Sequence, residues 1–202
     1  MVAWQAIPWK KVERQVCRLH KRIDPATQHG KVSTVHTLHN LLITSWYARL
    51  LAVRRVTQDH RGQHTAGIDG VKSFTPPQRL RLAGMLRLTS RATPLRRPGI
   101  PQRGSPANRP LGIPTQHERA RQTRVRQALE PQWDAKLSPH TCGFRPGRSC
   151  WDAIAAVLHR IKCRPQYMLK VDISPCFDCL NHAAFLAQLQ APPRLRRHIR
   201  AW

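Results

Sequence analysis

Acidic residues are scarce in this sequence of 202 residues. It contains 10 Asp and Glu against 35 Lys and Arg, which gives a formal net charge of +25. No acidic residue lies between Gly70 and His117, although nine basic residues do. Such a stretch repels itself unless an anion is close. Since 27 of the basic residues are arginines, whose planar fork binds phosphate, the composition predicts a polyanion partner and favours nucleic acid over anionic lipid.

Long apolar runs are also missing. No run reaches the roughly 18 residues that a membrane-spanning helix needs, and the N-terminus lacks the basic-then-apolar order of a signal peptide. The sequence therefore predicts a soluble, cytoplasmic protein with no membrane partner. Its hydrophobic content of 41% is ample for a buried core, which argues against a wholly disordered basic tail.

Several common site motifs are absent. The sequence has no phosphate-binding loop of the Gly-x-x-x-x-Gly-Lys-Ser/Thr type, no Gly-x-Ser-x-Gly and no His-Glu-x-x-His. Of its six cysteines, only Cys176 and Cys179 have a metal-like spacing, and with His182 they still lack a fourth ligand. Free cysteines in a reducing compartment are the favoured interpretation.

The first 57 residues have the pattern of two amphipathic helices. Apolar residues recur at steps of three and four from Trp9 to Ile23, opposite a basic face, and the Asp24-Pro25 step predicts the end of this helix. A second helix is predicted from about Val32 to Val56. We therefore predict an N-terminal helical unit over residues 1–57 and a main domain over residues 58–202.

The main domain mixes helices with a β-hairpin. A glycine-rich segment from Asp59 to Gly70 predicts a structured loop, and Pro76-Pro77 opens a short helix. Two β-leaning pieces, Leu95–Ile100 and Asn108–Ile113, predict a hairpin. A capping box at residues 115–118 predicts a helix that runs to Pro131.

The C-terminal third predicts further helices and one strand. Ser149 and Asp152 cap a helix whose buried stripe is expected to contain Trp151, Ile154, Val157, Leu158 and Ile161. Residues Tyr167–Ile173 are predicted to form a strand, followed by a helix near residues 182–190 and another after Pro192-Pro193. The expected fold class is α+β and mostly helical.

Asp172 stands near the end of the predicted strand. An aspartate in that place commonly holds a hard cation at the edge of a sheet, but a turn or capping aspartate is more frequent. Asp178 carries the same two interpretations, since it could share the metal or cap the following helix. The residues alone leave both alternatives open.

Taken together, seven ordered motifs resemble the group II intron-encoded reverse transcriptase/maturase proteins. They are Thr-Ala-Gly-Ile-Asp-Gly at 65–70, Arg-Arg-Pro-Gly-Ile-Pro at 96–101, Arg-Pro-Leu-Gly-Ile-Pro-Thr at 109–115, Glu-Arg-Ala-Arg-Gln at 118–122, Leu-Glu-Pro at 129–131, Gly-Phe-Arg-Pro-Gly-Arg-Ser at 143–149 and Val-Asp-Ile-Ser-Pro-Cys-Phe-Asp at 171–178. The resemblance covers nearly the whole chain. It implies the fingers and the beginning of the palm of a right-hand polymerase, preceded by a helical extension.

The resemblance also implies roles for particular residues. Asp172 and the backbone carbonyl of Ile173 would hold Mg²⁺, of which the complete enzyme binds two ions, and Phe177 would lie beneath the incoming sugar and select deoxynucleotides. Arg109, and Arg103 as a substitute for a missing lysine, would bind the triphosphate of a dNTP. Residues expected to contact intron RNA, or an RNA template with its DNA primer, are Arg96, Arg97, Arg119, Arg145 and Arg148.

Two departures from the family pattern matter. Gln102 stands where the family usually has a lysine, and the Tyr-Ala-Asp-Asp element with the other two catalytic aspartates is missing. One carboxylate cannot hold two Mg²⁺ ions, so this chain alone is not expected to polymerise. It could be a fragment of a longer enzyme, a piece completed by a second chain that supplies the rest of the palm, or a remnant of a mobile element. A non-catalytic RNA-binding splicing cofactor is the alternative function.

Overall fold

The computed structural model describes residues 3–102, 104, 108–163, 167–174 and 176–202. Within these residues the α-helices are α1 (Trp9–Gln28), α2 (Val32–Thr44), α3 (Trp46–Arg54), α4 (Pro76–Met85), α5 (Gln116–Lys136), α6 (Cys150–Cys163), α7 (His182–Gln188) and α8 (Pro193–Arg200). The strands are β1 (Gly99–Pro101) and β2 (Asn108–Pro110). The architecture is therefore mostly helical with one two-stranded antiparallel sheet, as predicted.

The core is built around α5. This helix packs against α1, α2 and α3, and one hydrophobic cluster includes residues from all four helices and from α4 and α8. Helix α1 buries Val12, Val16 and Ile23, which confirms the predicted apolar stripe. Because the cluster takes residues from both sides of position 57, the two predicted units share a core, and their boundary stays a prediction.

Two prolines predicted to end helices lie inside them. Helix α1 continues through Pro25 to Gln28, and α5 continues through Pro131 to Lys136. Pro25 is exposed, so water can solvate the carbonyl that its missing N–H leaves free. Past each proline a side chain still packs, since Ala26 and Gln132 are buried. Tertiary packing therefore carries both helices beyond the predicted ends.

The predicted second helix is in fact two. Ser45 has an extended ψ of 129° and its side chain accepts a hydrogen bond from the backbone N–H of Ala48 at 3.4 Å. This serine caps α3 and separates it from α2. A short π-type turn from Arg55 to Asp59 then leads out of the helical unit.

The predicted hairpin is confirmed. Strand β1 pairs with β2 in the register Gly99 with Pro110, Ile100 with Arg109 and Pro101 with Asn108. An isolated antiparallel bridge between Arg96 and Ile113 extends the pairing towards the body of the protein. Both strands are fully exposed, so the hairpin projects from the helical core.

Two predictions for the C-terminal third are wrong. Residues 167–173 form no strand, and Val171 and Ile173 are 71% and 70% exposed. A strand needs a neighbour for its backbone hydrogen bonds, and the described residues offer none. The stripe of α6 expected to be buried is exposed instead, from 44% at Val157 to 74% at Trp151, because no described element covers it.

The glycine-rich loop is structured, as predicted, because it lies against the start of α5. A Cβ added at Gly67 would come within 2.6 Å of the Thr115 Cα. Ala66 and Gly67 are buried, whereas Ile68 is 57% exposed. Only glycine allows the two backbones this approach.

We predict that Gly67→Ala destabilises the protein, because backbone atoms on both sides would have to separate. We expect a loss of about 1–3 kcal/mol in the free energy of unfolding, measured by urea denaturation. Gly84→Ala is the matched control, since nothing lies within 4 Å of its added Cβ and the residue is in α4. That change should stabilise the protein by about 0.5–1 kcal/mol. Equal effects of the two substitutions would contradict the close approach.

Candidate nucleic-acid interface

The hairpin displays three arginines predicted from the sequence to bind RNA or nucleotide. Arg96, Arg97 and Arg109 are all exposed. In the described part of the chain none of the three has a carboxylate within ion-pair distance. Gln102 is also exposed, and Arg103 lies outside the described residues. The hairpin therefore offers unpaired guanidinium groups to an anionic partner.

Arg119 occupies a different environment. Its guanidinium donates to the backbone carbonyls of Pro114 at 3.1 Å, Gly62 at 2.8 Å and Thr65 at 2.9 Å. Partial burial lowers the pKa of Arg119, and the opposing effects of Asp69, which raises it, and Arg96, which lowers it, show that both lie nearby. Arg119 therefore joins the glycine-rich loop to the start of α5 by hydrogen bonds, close to Arg96.

Gln116 supports the same junction. Its side-chain amide donates to the carbonyl of Gln63 at 2.6 Å and to that of Thr65 at 3.4 Å. The side chain of Thr115 accepts from the backbone N–H of Glu118 at 3.2 Å, so the predicted N-cap of α5 is present. The Glu118 carboxylate, expected to complete a capping box, instead accepts from Arg121 at 3.1 Å and from Thr93 at 3.3 Å.

Arg145 holds the loop that follows α5. Its guanidinium donates to the Asp134 carboxylate at 2.6 Å and to the backbone carbonyls of Ser138 at 2.8 Å and Thr141 at 3.2 Å. The hydrogen bond to Asp134 raises the pKa of Arg145. Phe144 beside it has a positive φ of 58° and a fully exposed ring. Arg148 is exposed in the same loop, so it is free to reach an external partner.

The residues predicted to hold metal and nucleotide lie in the exposed segment after α6. Asp172 and Ile173 are in an irregular stretch, and Phe177 is 83% exposed in a turn. Within the described residues, no group of three or more His, Cys, Asp or Glu side chains is arranged to hold a metal ion. One carboxylate and one carbonyl are too few oxygen ligands for two Mg²⁺ ions. The donor set present here therefore does not form a two-ion site.

A group of arginines around α5 and α8 was not predicted from the sequence. Arg124 is almost fully buried and donates to the backbone carbonyl of Leu86. Burial, with smaller effects from Arg49, Arg194 and Arg121, lowers the pKa of Arg124 to about 9. The sequence Arg-Leu-Arg-Arg-His at 194–198 could have predicted the α8 part of this group, because residues three and four apart share a face of a helix.

Two known protein domains match this chain. Residues 4–86 match the N-terminal domain of reverse transcriptase, and residues 100–201 match the reverse transcriptase (RNA-dependent DNA polymerase) domain itself. The chain belongs to the reverse transcriptase family. Reverse transcriptases generally use divalent metal ions, and the second match includes β2, α5 and the segment with Asp172.

The relatives of this reverse transcriptase chain include group II intron-encoded proteins and maturases. It is 33% identical to Protein YkfC of Escherichia coli over 66% of this chain and 37% of YkfC. It is 33% identical to the group II intron-encoded protein LtrA of Lactococcus lactis over 46% of this chain and 15% of LtrA. Maturase-like protein 1 of Euglena gracilis is 25% identical over 96% of this chain and 43% of its own length. The chain thus spans less than half the length of each of these relatives.

Among the described residues, no helix of this reverse transcriptase chain is both long and apolar enough to cross a membrane.

The candidate interface consists of the exposed hairpin arginines and of Arg148 in the loop after α5. Arginines that bind the backbone hold these segments in place.

We predict that Arg119→Gln destabilises the fold, whereas Arg97→Gln does not. Loss of Arg119 leaves the carbonyls of Gly62, Thr65 and Pro114 without this donor, which should cost about 1–3 kcal/mol. Arg97 is exposed, so its substitution should change the free energy of unfolding by less than about 0.5 kcal/mol. Thermal unfolding of both variants measures the difference. Similar melting temperatures would mean that Arg119 does not hold the loop.

Proposed function

We propose that this chain is the N-terminal part of a group II intron reverse transcriptase/maturase and binds intron RNA. The observation that carries the proposal is the exposed hairpin, whose arginines have no carboxylate partner in the described part of the chain. Phosphate oxygens are the natural partners of such groups, and RNA provides them in a regular array. The likeness to LtrA and to Maturase-like protein 1 supports a group II intron as the source of that RNA.

In the complete enzyme, we propose, the hairpin also approaches the nucleotide. Arg109 lies opposite Ile100 in the register of the two strands, and its exposed guanidinium is available to the triphosphate of a dNTP. Arg103 is proposed for the same role. Phe177 is proposed as the ring beneath the incoming sugar, where its bulk would disfavour a 2′-hydroxyl. These assignments rest on the matched motifs of the family.

Asp172 is the carboxylate that we propose for the metal site of the complete enzyme, together with the carbonyl of Ile173. Two bound Mg²⁺ ions would activate the primer hydroxyl and neutralise the leaving pyrophosphate. The remaining ligands would come from a Tyr-Ala-Asp-Asp element, which this sequence lacks. DNA synthesis on an RNA template with a DNA primer therefore requires more than these residues.

The exposed face of α6 supports the proposal that palm residues other than those in this sequence pack against it. Five large apolar side chains of one helix are exposed in the structure: Trp151, Ile154, Val157, Leu158 and Ile161. An apolar surface of this kind normally marks an interaction site. We propose that the occupant is palm sequence with the Tyr-Ala-Asp-Asp element, either continuous with this chain or provided by a second chain.

A non-catalytic role is the second candidate function. It is favoured by the incomplete donor set around Asp172 and requires only the basic surface. Such a protein would stabilise folded intron RNA through phosphate contacts and shape. Primer extension separates the two, because only the enzyme gains activity when the missing palm sequence is supplied.

We predict that replacing Arg96, Arg97 and Arg109 by Gln weakens binding to group II intron RNA. Each lost phosphate contact should reduce the slope of log K against log salt by roughly 0.7 to 0.9. A charge-matched control replaces Arg160, Lys162 and Lys170, which are exposed outside the acid-free stretch. Filter binding across a salt series compares the two. Equal slopes for both triple variants would mean that the hairpin has no special part in binding.

We predict that Asp172→Asn leaves RNA affinity unchanged relative to Asp24→Asn, a control that removes the same charge from an exposed position of α1. With a palm segment that carries the missing aspartates, Asp172→Asn should abolish primer extension while Asp24→Asn retains it. The reason is that only Asp172 is proposed to hold metal. Full extension by Asp172→Asn would contradict this role.

A further inference from the structure

A basic cavity lies between the segment after α4 and the last helix. Its volume is about 320 Å³. The residues that line it are Leu88, Thr89, Ser90, Arg194, Arg197 and His198. Two guanidinium groups and the Ser90 hydroxyl therefore border one space, whereas the Thr89 hydroxyl donates to the carbonyl of Arg91 at 2.8 Å. No acidic residue is among the lining side chains.

The basic side chains converge because of their spacing in α8. Arg194, Arg197 and His198 are three and four residues apart, so they lie on one face of the helix. Leu195 and the imidazole of His198 are buried and fix α8 against the core, while both arginines remain exposed at the mouth of the cavity. The arginines are thus held by a rigid element and are accessible to a ligand.

His198 adds a buried polar group to the wall. It is only 1% exposed, and its Nδ1 hydrogen bonds to the backbone carbonyl of Thr89. In the described part of the structure its Nε2 has no hydrogen-bond partner. An edge-to-face contact with the indole of Trp202, at 4.5 Å between the ring centroids, also holds the imidazole in place. Because Nδ1 donates to a carbonyl and burial lowers the pKa of His198, the neutral ring shapes the wall, and the donors that can meet a ligand are the two arginines and Ser90.

Positive side chains also outnumber negative ones in the part of the core next to this cavity. Arg124, buried in α5, donates to the carbonyl of Leu86 and feels the charges of Arg49, Arg194 and Arg121. The nearby carboxylate of Glu118 already accepts hydrogen bonds from Arg121, Thr93 and the indole of Trp202. An anion bound by Arg194 would therefore reduce the repulsion among these guanidinium groups.

We propose that this cavity binds a phosphate group of an RNA backbone. The two arginine forks and the hydroxyl of Ser90 are donors from which phosphate oxygens accept hydrogen bonds. The inference rests on the proposed function for its choice of RNA, and it adds a second contact region on α8. RNA bound to the hairpin would gain a further contact at this cavity.

The first test uses the 202-residue chain and sodium pyrophosphate as the probe. At about ten times the dissociation constant, pyrophosphate should raise the melting temperature by about 3–6 °C over sodium chloride of equal ionic strength. Arg194→Gln/Arg197→Gln should lose this shift. The matched control is Arg196→Gln/Arg200→Gln on the same helix. These two arginines line a neighbouring cavity, which shares Arg197 with the first, and the control should keep the shift. No shift in the wild type, or an equal shift in both variants, overturns the site.

The second test uses a labelled fragment of group II intron RNA. Arg194→Gln/Arg197→Gln should bind it roughly tenfold more weakly than the control variant, with a salt slope lower by about 0.7. If wild type and control bind RNA but the cavity variant binds equally well, the RNA assignment is wrong while the proposed function stands. If the wild type does not bind RNA, the proposed function fails, and a retained pyrophosphate shift then identifies a site for free phosphate, which also overturns the RNA assignment.

Discussion

Most guanidinium groups in this protein have no carboxylate to pair with, because 35 basic residues share 10 acidic ones. Several that approach the core donate to backbone carbonyls, and of these Arg145 also pairs with the Asp134 carboxylate. Arg119 donates to three such carbonyls, Arg145 to several around the end of α5, and the buried Arg124 to one. A planar group with five donors can satisfy several carbonyls at once. The irregular segments on both sides of α5 depend on this use of arginine.

The arginines left outside the core are the basis of the proposed function. Arg109 stands on β2, Arg96 and Arg97 precede β1, and all three side chains are exposed and accessible to an RNA. The arginines of α8 instead border a cavity with a buried histidine. The same shortage of carboxylates thus produces two kinds of basic surface, one projecting and one recessed, and both suit phosphate as the counter-charge.

The sequence pattern predicted the helices and the hairpin because local signals determined them: apolar periodicity in α1, the proline pair before α4, and the β-leaning pieces around residues 99–110. It failed where distant contacts decide. Pro25 and Pro131 lie inside helices since neighbouring residues pack into the core, and residues 167–173 form no strand since the described residues provide no partner for them. Arg119 and Arg145 stay predicted RNA contacts, but composition cannot show that their guanidinium groups also bind the protein's own backbone. Asp172 and Phe177 follow from family motifs, and no local pattern fixes their role.

The affinity of this chain for group II intron RNA as a function of salt, with an unrelated RNA of equal length beside it, tests the RNA-binding role. We expect tight binding at low salt, a steep linear fall of log K with log salt from several phosphate contacts, and a preference for the intron RNA. Weak binding with a shallow slope would contradict it, because the unpaired arginines would then not be a nucleic-acid surface.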